Sequence, residues 1–198
     1  MKRFLTSVTL VGLLVASPAD GALISIADTT FGPDSVTRDT GTGLEWLDLT
    51  FSVNMSYDAV SAQLDPGDTF DGWSIATLPE VSGLFTNAGI DYVVGSFVTQ
   101  ATTGPTQTFI NLVGNTMGPP EMQADGHFDD ENGVPGDVGR ARVFIDGNEA
   151  RSRIDLDWYD RQVPTPTAGT WLVRVPEPMT VLVLGVGAVG LGARRRRR

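Results

Sequence analysis

Hydrophobic and polar positions change rhythm along this chain, and each change predicts an element. A nearly unbroken apolar run, Phe4 to Val15, opens it. Thr40-Gly41-Thr42-Gly43 reads as a turn, and Leu44, Trp46 and Leu47 begin a short strand, LEWLDL. Ser56 is placed to cap a helix from Tyr57 to Leu64, with Val60 and Leu64 one helical turn apart; Pro66-Gly67-Asp68 breaks it. Thr77-x-x-Glu80 has the form of a capping box with Pro79 in the first turn, followed by Val81, Leu84, Phe85 and Ala88 at helical spacing and closed by Asn87 and Gly89. Tyr92 to Thr99 and Thr106 to Val113 are β-branched and aromatic, and both read as strands. Gly114 to Gly139 reads as one long loop carrying six acidic residues. Arg142 to Asp146 resumes a strand. Ile154, Leu156 and Trp158 alternate with Arg153, Asp155 and Asp157, which predicts a half-buried strand with a charged face. Pro164 to Thr167 is a loop, and Thr170 to Val175 is a final strand. Two short helices followed by a loop-rich antiparallel sheet give an α+β class with a single body over residues 23–175.

The two ends are of another kind. Lys2 and Arg3, the 12 apolar residues Phe4 to Val15 and the small residues of Ala16 to Ala22 have the order of a secretory signal peptide, expected over residues 1–22, with signal peptidase cutting near 19 to 22. At the other end Pro176-Glu177-Pro178 precedes an uncharged apolar stretch, Met179 to Ala193, and five arginines, Arg194 to Arg198. Fifteen residues make a helix of about 22 Å, short against a bilayer core of about 30 Å. The arginines are held on the cytoplasmic side, and the two prolines keep the preceding chain extended. A chain exported N-terminus first is expected to sit outside the inner membrane on a weak tether.

Charge narrows the partners. Between Leu23 and Val175 there are seven arginines and no lysine against 22 acidic residues, a formal charge of −15. A body of that sign repels nucleic acid. Cysteine is absent, which excludes disulfides, a thiolate metal site and a cysteine nucleophile. No Gly-x-Ser-x-Gly, His-Glu-x-x-His or phosphate loop occurs, so the chain carries no motif of an enzyme; paired carboxylates for a polysaccharide hydrolase are available by residue type alone.

The C-terminal triad of Pro176-Glu177-Pro178, apolar stretch and arginine cluster resembles a PEP-CTERM sorting signal. That resemblance implies recognition and tail removal by exosortase, a membrane-embedded protease-transpeptidase of Gram-negative bacteria, and a place at the cell surface or outside it, with exopolysaccharide and biofilm as the associated setting. The body resembles the Lcl C-terminal type of C-type-lectin-like domain through RDTGTGLEWLDL, SYDAVSAQL, FDGWSIATLPEVSGLF and the closing GTWLVRV, anchored by Trp46, Trp73, Thr77, Glu80, Trp171 and Arg174. This implies a compact α+β domain of the kind found on secreted and surface proteins. Ser74 departs from the family, where arginine is common, and the calcium-lectin sugar signatures are missing, so the resemblance does not bring sugar binding with it.

Two clusters are candidates for binding. Asp125, Asp129, Asp130 and Glu131 crowd hard oxygen ligands of a kind that suits calcium, without the spacing of an EF-hand; the simpler reading of the same residues is a solvated acidic loop, and no other cofactor is expected. His127, the single histidine, is expected to be exposed on that loop. Trp158 and Tyr159 could stack a sugar ring or fill a second core, whereas Trp46, Trp73 and Trp171 are expected in the core. The readings that stand are a non-catalytic surface or matrix module, a calcium- or carbohydrate-binding lectin-like protein, and a polysaccharide-active hydrolase.

Overall fold

The computed structural model describes residues 21–131, 134 and 136–176, without the side chains of residues 157 and 158. The proposed signal peptide up to residue 20 and the tail from Glu177 onward lie outside the described residues. The fold is mixed α+β, with two five-stranded sheets and few helices.

The first sheet has the order β1-β2-β3-β10-β4, antiparallel throughout, from Leu23–Asp28, Gly32–Asp39, Glu45–Leu47, Leu172–Arg174 and Ser74–Ile75. Strands β1 and β2 form a hairpin in a segment to which the sequence pattern assigned nothing. The second sheet has the order β5-β8-β7-β6-β9, from Val98–Thr99, Glu149–Asp160, Asp137–Asp146, Met122–Phe128 and Gly169–Thr170. It is antiparallel except where β9 runs parallel to β6. The expected final strand is therefore two: β9 closes one sheet, β10 enters the other, and Trp171 lies at the step between them. The Trp171 N–H donates to His127 O at 2.9 Å in the second sheet, and its carbonyl accepts from the Ala76 N–H at 2.8 Å, beside β4 of the first.

Two helices appear where capping signals stood. Helix α1 covers Tyr57–Ser61, three residues shorter than expected, with the Ser56 hydroxyl accepting from the Ala59 N–H at 3.1 Å. Helix α2 covers Leu78–Asn87, and Glu80 accepts from both the Thr77 N–H and its hydroxyl, at 2.8 and 2.9 Å. A third helix corrects the expected strand at Thr106 to Val113: α3 runs over Gly104–Val113. Its β-branched content suggested a strand, but Thr106, Phe109, Ile110 and Val113 are buried at positions three, four and seven apart, the stripe of one helical face, and Pro105 sits in the first turn. Gly114, at a φ of 98°, ends it. Tyr92 to Thr99, also expected as a strand, is mostly irregular, with only β5 at its end.

The main core lies between the inner face of the second sheet, helices α2 and α3, and Trp46 and Trp171, whose rings meet edge to face at 6.3 Å. Phe85 and Phe109 close on Trp171 at 6.1 and 6.2 Å. A second cluster covers the other face of the first sheet: Val36, Leu47 and Leu172 pack there with Val60, Phe70 and Trp73. Trp46, Trp73 and Trp171 are thus all buried, as their burial value demands.

Candidate functional site

The second sheet has one face in the core and one turned outward, and the outward face gathers the body's unusual chemistry. Register sets its composition. Asp125 of β6 stands opposite Arg142 of β7, which stands opposite Arg153 of β8; His127 stands opposite Arg140, and Arg140 opposite Asp155. Phe144 extends the same row and pairs with Arg151. Because side chains alternate across a strand, Ala124, Ala141, Val143 and Ile154 take the core side while this polar row takes the other.

The row is partly sealed. Asp125 is fully buried and Arg140 nearly so. The Arg140 guanidinium grips the carboxylate in a two-pronged pair, Nε to Oδ1 at 2.6 Å and Nη2 to Oδ2, while Gln123 Nε2 donates to Oδ2 at 2.9 Å. Burial pushes the Asp125 carboxyl above its ordinary value, and the bonds and charge of Arg140 pull against it. Burial lowers the Arg140 value, and the partnership with Asp125 outweighs it, so the guanidinium ends higher. The guanidinium also lies 4.4 Å over the Tyr159 ring.

His127 is 1 % exposed, which corrects the expectation of an exposed loop histidine. Burial, seconded by the charge of Arg140, lowers its pKa to about 4, so the ring is neutral. Thr165 Oγ1 lies 3.4 Å from Nε2, and Nδ1 has no hydrogen-bond partner. Asp125 is taken by Arg140, and among the described residues no carboxylate bonds the imidazole.

Of the four acidic candidates, Asp125 is drawn away from Asp129, Asp130 and Glu131. The expected long loop contains β6, because Gln123, Asp125 and His127 are polar residues of a strand buried on both sides. Asp125 faces Arg140. Asp129 lies four residues further along an extended chain, about 13 Å away at 3.3 Å per residue. There its backbone pairs with Ala76 and Leu78, and its Oδ1 accepts from the Glu131 N–H at 3.0 Å. Among the described residues no group of three His, Asp or Glu is arranged to hold a metal ion. Tyr159 is half-buried and already covered, with the His127 ring 5.7 Å away and Arg140 above it. Trp158 lies in β8, with its side chain outside the described residues. Of the sorting motif, Pro176 is described; Glu177 and Pro178 are not.

Arg140, Arg142, Phe144 and Phe97 went unnoticed in the sequence. The signal of the first three was present in the period-two pattern Arg140-x-Arg142-x-Phe144 beside Arg151-x-Arg153-x-Asp155. Phe97, in the irregular segment before β5, lies 47 % exposed, with the guanidinium of Arg142 at 4.8 Å and that of Arg153 at 4.7 Å. Fold and face together define a small mixed α+β body with one apolar-sided and one arginine-bearing sheet. No protein-family model matches the chain, and comparisons with curated proteins and with solved structures find no match.

Proposed function

We propose that this is an exported, non-catalytic surface or extracellular-matrix module, sorted through a PEP-CTERM signal by exosortase and associated with exopolysaccharide. The observation that carries the reading is the C-terminal order of Pro176-Glu177-Pro178, fifteen uncharged apolar residues and five arginines. It is supported by the position of the last strand, which ends at Arg174 and is followed by Val175 at 77 % exposure, so a protease can reach the chain without opening the body. Arg174 anchors that end: it pairs with Asp28 and Glu45 at 2.8 Å each and lies 4.2 Å over Trp73.

The lectin-like reading of the body belongs to the same proposal. Its support is that Trp46, Trp73 and Trp171 pack in the two cores and that the Thr77–Glu80 cap opens a helix beside them. The sorting reading is tested by intact mass. In a host with an exosortase, the surface form lacks Arg194 to Arg198; deleting the exosortase, or replacing Pro176-Glu177-Pro178 by alanines, leaves the full tail in the membrane fraction. Finding Arg198 on the surface protein of a normal host overturns it.

A further inference from the structure

Seven arginines share this body with 22 carboxylates, so an arginine without an acidic partner is unexpected. Six are paired: Arg38 with Glu45, Arg140 with Asp125, Arg151 with Glu149, Arg153 with Asp155, Arg161 with Asp58, and Arg174 with both Asp28 and Glu45. Among the described residues Arg142 alone forms no ion pair. Asp125 stands opposite it in register, but Arg140 and Gln123 occupy both oxygens of that carboxylate. The Arg142 Nε is buried without a hydrogen-bond partner, and the guanidinium packs beside the Phe97 and Phe144 rings, at 4.8 and 5.8 Å, which themselves meet edge to face at 5.9 Å.

The geometry points to a binding site for carboxylated sugar chains on the outer face of the second sheet, with Arg142 receiving the carboxylate and Phe97 carrying the adjacent sugar ring. This deepens the exopolysaccharide reading and rests on it.

Three features argue for that ligand. An arginine packed beside two rings that touch each other keeps its fork in a restricted orientation, which suits a planar carboxylate. Phe97 stays 47 % exposed although the guanidinia of Arg142 and Arg153 lie against its ring, and that exposed remainder offers a sugar's C–H groups an apolar surface, which the half-buried Tyr159 does not. The partner must also be anionic, since every nearby arginine but this one is already neutralised by a carboxylate of the protein. The acidic remainder of the body opposes a long polyanion at a distance, so the site takes an exposed end or a short run of uronate rather than a nucleic acid backbone.

The test uses the processed protein recovered from its host, titrated with hexameric galacturonate, with the methyl ester of the same hexamer and with a neutral dextran oligomer. The galacturonate is expected to bind and the two neutral chains to bind at least tenfold more weakly, the effect of losing a hydrogen bond to a charged group. Arg142→Gln should weaken galacturonate about tenfold, whereas Arg142→Lys keeps part of the affinity. Phe97→Ala, an exposed position that leaves the core intact, should weaken all sugar binding severalfold; Arg161→Gln, away from this face, should change nothing. If galacturonate binds and both Arg142→Gln and Phe97→Ala leave it unaltered, the site is wrong while the polysaccharide reading stands. If no glycan binds the native protein, both fall, and the sorting signal is still judged separately by intact mass. Equal binding of the free acid and its methyl ester overturns the role of Arg142.

Discussion

The two sheets differ in what they cover, and the difference decides how each is held together. The first is buried on both sides through its middle, β3, β10 and the end of β2: Trp46 and Val173 face the main core, and Val36, Leu47 and Leu172 face the second cluster, while β1 is left largely exposed at the edge. Its three arginine-linked carboxylate contacts gather at one place, where Arg38 and Arg174 share Glu45 and Arg174 also reaches Asp28. The second sheet is apolar on one side only, and its outer side is a continuous polar row with a buried ion pair at its centre. A sheet clamped between two apolar layers gains stability from area. One with a polar side depends on partnered charges, each of which is costly to unpair.

That contrast can be broken most directly at its ion pairs. Asp125→Ala strands the Arg140 charge in a buried position and should cost about 3 to 5 kcal/mol in urea unfolding. Glu45→Ala in the first sheet releases Arg38 and Arg174, whose side chains are 42 % and 26 % exposed, and should cost less, about 1.5 to 3 kcal/mol. If Glu45→Ala proves the costlier change, the second sheet does not rest on its polar row as argued. Next comes acid. His127 is held at a pKa of about 4 against an ordinary 6.5, so the unfolded chain takes up its proton first as pH falls. Stability contributed by the neutral ring is complete above pH 6.5 and lost on the way to pH 4, by about 3 kcal/mol in total. His127→Gln should remove that part of the slope; a slope equal to the parent's shows that other groups carry it.

Smaller effects sharpen the picture. A methyl group at Gly126 meets Leu49 Cδ2 at 2.8 Å and Trp171 Nε1 at 2.9 Å, so Gly126→Ala should destabilise by about 1 to 3 kcal/mol in thermal unfolding. A neutral outcome means that the inner face has room to yield. At the outer rim, Arg151 and Glu149 are 40 % and 57 % exposed, and Arg151→Ala should change stability by less than about 1 kcal/mol. A larger loss places Arg151 inside the polar network instead of at its edge.

Legibility in the sequence followed the same divide. Strand β8 stood out because one of its faces is charged and the other apolar. The helices α1 and α2 stood out through Ser56 and the Thr77–Glu80 pair, which act locally. Strand β6 was hidden: its Gln123, Asp125 and His127 look like loop residues, and only the arginines, Thr165 and Thr167 brought by distant parts of the chain make their burial possible. Helix α3 was hidden by its β-branched residues, which tertiary packing overrode. The outer-face candidates needed pairing register, which no single strand carries in its own sequence.

The step at Trp171 has a consequence for timing. Strand β10 sits between β3 and β4 in the first sheet, and its Arg174 pairs in register with Glu45, far back in the chain. Strand β9, immediately before it, supplies the edge of the second sheet. A chain emerging N-terminus first from a ribosome therefore has neither sheet complete until residues 169–174 have appeared. Such late, long-range closure is slow. Hairpins β1–β2 and β6–β8 can pair earlier, but both sheets lock around one tryptophan only when that last segment arrives.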